Sequence, residues 1–164
     1  MRATASLICA GAWFAAVSSL AGMVAAADAG QAERPTVVFV CEKGSVKSLM
    51  AASLFNRLAR EQGIDVDAVS RGVAPDPAVP PPIERALAGD GFDVRGFKPQ
   101  QLTKADAAGA LQVVALGVDV APVVRSLATV RRWDAIPPAS TDYAKARDAL
   151  MAEIRKLLDE MARK

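Results

Sequence analysis

The sequence predicts a three-layer α/β/α fold around a four-stranded parallel sheet, and two patterns carry that expectation. Short runs of β-branched and apolar residues recur without polar alternation, as in strands covered on both faces. Segments with apolar residues at helical spacing lie between them. Alternating strands and helices imply a parallel sheet with helices on both faces. The first strand spans 36–40, Thr-Val-Val-Phe-Val. A helix follows over 48–60, with Ala51, Leu54, Phe55 and Leu58 on one face, and Gly63 stops it. A second strand over 66–70 ends at Gly72. The proline-rich loop 75–82 feeds a short helix over 83–88, with proline where a helix can start. A third buried strand covers 111–116 and an edge strand 128–133. The last helix begins near Thr141 and Asp142, both good caps. Its Ala146, Leu150, Ile154, Leu157 and Met161 make one stripe.

Composition narrows the chemistry. A length of 164 residues fits one domain of ordinary size. The absence of histidine removes the commonest metal ligand and the usual general base. Two cysteines are too few for a zinc ribbon or a disulfide scaffold. Acidic pairs such as Asp65 and Asp67 lack the companions a calcium or magnesium site needs, so no metal and no cofactor is expected. A net charge of +2 with 5% aromatic residues speaks against nucleic-acid binding.

The first 27 residues read as an export signal. After Arg2 no charge appears until Asp28, and 20 of the 27 positions are hydrophobic. The stretch ends in a small-x-small pattern that places cleavage after Ala27. An uncleaved anchor over 7–27 is the alternative, since that length is about enough to span a bilayer. Residues 28–35 read as a linker, and the domain occupies 36–164. Export implies a periplasmic or secreted protein that does not touch the membrane once the signal is removed. Cys9 leaves with the signal, so Cys41 is the remaining thiol.

Cys41 stands where ligands bind in such sheets, outside the carboxyl end of a strand. The turn reads Cys41-Glu42-Lys43-Gly44-Ser45-Val46-Lys47-Ser48, and a helix follows at once. Backbone N–H groups in a tight loop before a helix N-terminus form a nest for an oxyanion. A cysteine at its mouth feels the helix dipole and Lys47, so the thiol is expected to ionise readily. Ser48 is placed to donate to the thiolate, and Gly44 permits a left-handed backbone.

These residues resemble the cysteine-x5-arginine-serine/threonine loop of low-molecular-weight protein tyrosine phosphatases, and of the arsenate reductases that share their fold. The likeness continues through Ser70-Arg71-Gly72, Gly91-Phe92-Asp93-Val94, Gln101-Leu102 and the stretch from Trp133 to Pro138. The resemblance implies a sheet of order 2-1-3-4. It also implies that Cys41 attacks phosphorus while the amides of 42–47 hold the oxygens and Ser48 eases release of the thiolate. Two departures stand out: Lys47 replaces the arginine, and Pro137-Pro138 replaces the aspartate-proline that carries the general acid. Asp134 is the substitute acid within reach in sequence, and Arg71 an accessory cation.

Three functions follow from this pattern. One is weak cysteine-dependent hydrolysis of phosphotyrosine or another phosphomonoester. A second is arsenate reduction with a thiol supplied from outside. The third is a non-catalytic protein that binds an oxyanion or a partner.

Overall fold

The computed structural model describes residues 34–124 and 130–163. The expected signal over 1–27 lies outside them, as do residues 28–33 of the linker and 128–129 of the expected edge strand. Among the described residues nine elements follow in order: β1 (Thr36–Cys41), α1 (Lys47–Glu61), β2 (Asp67–Gly72), α2 (Pro81–Gly89), α3 (Lys104–Gly109), β3 (Ala110–Ala115), α4 (Ala121–Val124), β4 (Val130–Arg132) and α5 (Tyr143–Ala162). The strands form one parallel sheet of order β2-β1-β3-β4.

β1 lies at the centre, and Val37 to Val40 are each at most 1% exposed. Successive side chains of a strand point to opposite faces, and the core divides accordingly. Val37, Phe39 and Cys41 pack with residues of α1, α2 and α5. Val38 and Val40 pack with Val113, Ala115, Ala107 of α3 and Val124 of α4. Cys41 and α1 therefore share one face of the sheet, while α3 and α4 cover the other.

Helix α5 is capped by Asp142, whose carboxylate accepts from Lys145 N–H at 2.9 Å. Its stripe buries Ala146, Leu150, Ile154, Leu157 and Leu158. Met161 packs partly buried against the same cluster. Each large side chain so covered contributes about 1.5–3 kcal/mol of hydrophobic stabilisation. Trp133 leaves β4 to pack 5.6 Å from the Phe39 ring.

Two expectations need correction. Leu111, placed in a buried strand, is 51% exposed. The register shifts there, with Thr36 opposite Ala110 and Val37 opposite Gln112, so Leu111 is the extra residue of a bulge. Helix α3 was not expected at all, because six residues with one buried side chain, Ala107, show no period. Its legible signal was the capping box, in which Thr103 and Asp106 bond reciprocally.

Candidate active site

The chain turns sharply after Cys41, and two glycines make the turn possible. Gly44 has φ +67°, and a Cβ on it would stand 2.8 Å from Gly72 N. A Cβ on Gly72 would stand 2.9 Å from Gly44 N. Both backbones thus meet at a distance that only glycine at both positions allows. The segment after β2 is then laced to the turn. Val73 N–H donates to Cys41 O at 3.1 Å, Ala74 N–H to Glu42 O at 2.9 Å, and Asp76 N–H to Lys43 O at 3.0 Å. Lacing of this kind uses the carbonyls of the turn and leaves amides over. Among the described residues, the N–H groups of Lys43, Ser45 and Val46 have no intramolecular acceptor.

Hydrogen-bonding groups converge on the sulfur. Cys41 is 3% exposed, and its Sγ accepts from Gly44 N–H at 3.2 Å and lies 3.0 Å from Ser48 Oγ. Ser48 belongs to the first turn of α1, so the positive end of the helix dipole faces the same atom. Behind Ser48 stands Ser70 of β2, fully inside the same face of the sheet. Its hydroxyl has two acceptors, Ser48 Oγ and Gly44 O, each at 2.9 Å. One proton serves one acceptor at a time. When Ser70 donates to Ser48, the Ser48 proton is left for Cys41 Sγ.

The sulfur opens into a shallow groove of 190 Å³. Cys41, Glu42, Lys43, Val46 and Lys47 form one side, and Pro138, Ala139 and Ser140 the other. Neither Lys43 nor Lys47 has an ion-pair partner among the described residues. Lys47 Nζ reaches the loop after β3, where a Cβ on Gly117 would stand 3.4 Å from it. Among the described residues no aromatic side chain lines the groove: Trp133 lies in the core and the Tyr143 hydroxyl donates to Asp90 at 2.7 Å. Larger grooves of 660 and 560 Å³ open beside β2, but neither contains Cys41. Size is a poorer guide than the thiol and the unpaired amides, which are the groups that chemistry needs.

This strand, loop and helix match a known pattern. The family model for low molecular weight phosphotyrosine protein phosphatases matches residues 36–164. The chain belongs to that family. No curated protein matches it in sequence. YfkJ of Bacillus subtilis shares the fold at 18% identity, with a TM-score of 0.69 over 82% of this chain and 98% of that one. A low molecular weight protein tyrosine phosphatase of T. tengcongensis is 23% identical, with a TM-score of 0.64 over 77% and 99%. A thioredoxin-dependent arsenate reductase of Corynebacterium glutamicum is 20% identical, with a TM-score of 0.65 over 80% of this chain and 64% of that one. At such identities the likeness is one of fold.

Within this phosphatase-family domain, the structure brings together Cys41, the 42–47 loop and Ser48, but not the other two candidates. Arg71 neighbours Ser70 in sequence, so its side chain leaves by the opposite face of the sheet. There its guanidinium is committed to Asp106 of α3, at 2.7 and 2.8 Å. Burial alone would raise the Asp106 carboxyl. Hydrogen bonds from Arg71 and Thr103, with the charge of Arg71, outweigh it and hold the group below its ordinary value. Arg71 is thus a brace between β2 and α3 and no accessory cation. Asp134 is exposed and paired with Arg132 at 3.1 Å, and it does not line the Cys41 groove. Among the described residues, Glu42 is the only acidic residue that does.

Ser70, Gly72 and Asp76 were missed as site residues. Ser70 and Gly72 had a signal in the Ser-Arg-Gly sequence after the second strand. Asp76 had only its place in a proline-rich loop.

Proposed function

We propose that this protein is an exported, slow phosphomonoesterase that works through a phosphocysteine intermediate. The observation that carries the reading is the convergence of Gly44 N–H and Ser48 Oγ on Cys41 Sγ, at 3.2 and 3.0 Å, beneath amides with no other acceptor. The thiolate attacks phosphorus and the P–O bond to the leaving group breaks. Loop amides, Lys43 and Lys47 hold the phosphoryl oxygens. Lysine is a point charge without the planar fork of arginine, so orientation of the transition state is weaker. The leaving oxygen takes its proton from Glu42, the acidic residue among those lining the groove, or from water. Water then attacks the phosphocysteine, phosphate departs, and Ser48 stabilises the released thiolate.

The test is hydrolysis of p-nitrophenyl phosphate by the protein purified without its signal. Slow turnover that saturates with substrate and falls to background in Cys41→Ser supports the reading. Equal silence of both proteins, with no gain in Lys47→Arg, overturns it. Export is tested by cell fractionation with N-terminal sequencing, for which the expected first residue is Asp28.

The groove favours a second reading. Without an aromatic wall it suits a bare oxyanion, as in arsenate reduction. Cys41 would form an S–As bond with loss of hydroxide, and an external thiol would then attack Sγ. That attack leaves a mixed disulfide and moves the S–As electron pair onto arsenic, giving arsenite. Consumption of arsenate in the presence of thioredoxin or a small thiol tests it.

A further inference from the structure

We infer that Asp76 is a positioning residue that latches the oxyanion loop through Ser45, an inference that rests on the reading of that loop as an oxyanion cradle. Ser45 sits at the middle of the turn and is completely buried. Its hydroxyl donates to Asp76 Oδ2 at 2.6 Å, a short hydrogen bond from a hydroxyl to a carboxyl group. The same Asp76 donates its backbone N–H to Lys43 O at 3.0 Å. Two bonds from one residue therefore grip the turn at positions 43 and 45, on either side of Gly44. On the other side the Gly44 carbonyl lies 2.9 Å from Ser70 Oγ, as one of the two acceptors between which that hydroxyl chooses.

The grip has a direct consequence for anion binding. Among the described residues, the peptide planes on either side of Ser45 carry two of the amides with no intramolecular acceptor, its own and that of Val46. Fixing the hydroxyl of Ser45 to one side fixes the peptide planes on either side of it. A buried hydroxyl deprived of its acceptor has to turn toward another polar group. Asp76 also carries a charge, and that charge opposes a phosphate held by the same loop. Geometry and charge can therefore be separated. Asn at position 76 keeps an acceptor oxygen for Ser45 and loses the charge, whereas Ala loses both.

The experiment compares the wild type, Asp76→Ala, Asp76→Asn, Ser45→Ala and the Ser45→Ala/Asp76→Ala double variant in two measurements. The first is inorganic phosphate binding by calorimetry. The second is the rate of Cys41 alkylation by iodoacetamide at pH 7, with and without phosphate. Thermal melts establish that each variant is folded. In Asp76→Ala, phosphate affinity is expected to fall by about tenfold, the loss of one charge-assisted contact, and alkylation to slow. Asp76→Asn is expected to regain wild-type affinity or exceed it, a rescue that a role in stability alone would not produce. Ser45→Ala should match Asp76→Ala, and the double variant should add nothing. A folded Asp76→Ala that binds phosphate and alkylates like the wild type overturns the latch while leaving the cradle intact. An Asp76→Asn variant as weak as Asp76→Ala also overturns it. A wild type that binds no phosphate, with alkylation unaffected by it, overturns the cradle and the latch together.

Discussion

The two sides of the Cys41 groove are built to different standards. On the loop side almost every polar group has an assigned task. Gly44, Ser48 and Ser70 address the sulfur or its neighbours, Asp76 holds Ser45, and three backbone bonds tie the turn to the segment after β2. The facing side consists of Pro138, Ala139 and Ser140. It offers neither a ring to stack on a substrate nor a carboxyl group to protonate one, and Asp134 nearby is engaged with Arg132. In the proposed reaction, retention of the oxyanion depends on the first side, whereas choice and departure of the leaving group depend on the second. The contrast fits a protein that binds a phosphoryl group better than it turns one over.

Four experiments break or sharpen that contrast. The largest effect is expected for Gly44→Ala. The left-handed backbone costs an L-residue about 1–2 kcal/mol, and the added Cβ meets Gly72 N at 2.8 Å. Phosphate binding and turnover should both fall to background while the melt drops modestly, and an unchanged phosphate affinity would show that the turn tolerates rearrangement. One substitution is expected to gain, Lys47→Arg, which places a planar fork at the first residue of α1. A gain of about tenfold in kcat on an aryl phosphate is expected, about the worth of one further charge-assisted bond. No gain would place the limit on the facing side.

Substitutions of the two acids compare the sides directly. Glu42→Gln is expected to slow an alkyl phosphate more than an aryl phosphate, by at most about 10²-fold. Asp134→Asn should leave both within about twofold, as for an exposed side chain away from the site. The reverse order would return Asp134 to the mechanism.

The smallest effect concerns the brace on the opposite face. Arg71→Ala should lower stability at pH 7 by about 1–2 kcal/mol without altering phosphate affinity. The folded Asp106 carboxyl is held below its ordinary value of 3.8. Its contribution is therefore present above that value and lost as the pH falls through the lower folded one. The difference in Tm between the wild type and Arg71→Ala should accordingly shrink in acid. A difference that persists undiminished at pH 2 would argue for packing instead of charge.

Much of the site was legible because its central part is local. A buried strand, a thiol, a glycine in a five-residue turn and a helix follow one another within 15 positions of chain, and their order implies an anion nest. Arg71 shows where such reading stops. Its place at the end of the second strand was correct, yet the face it occupies depends on the period of two and on the residue from which one counts. With Ser70 turned toward α1, Arg71 has to turn toward α3. Likewise α3 escaped notice because a single turn and a half buries too little to leave a period.

The sequence by itself determined the order of elements and the chemistry placed at the first strand-to-helix turn, since both arise from neighbours in the chain. Tertiary structure decided the partners. Ser48 meets Ser70 across 22 positions, Ser45 meets Asp76 across 31 and Arg71 meets Asp106 across 35. Those distances close only when strand register is set, because a shift of one residue turns every side chain of a strand to the other face.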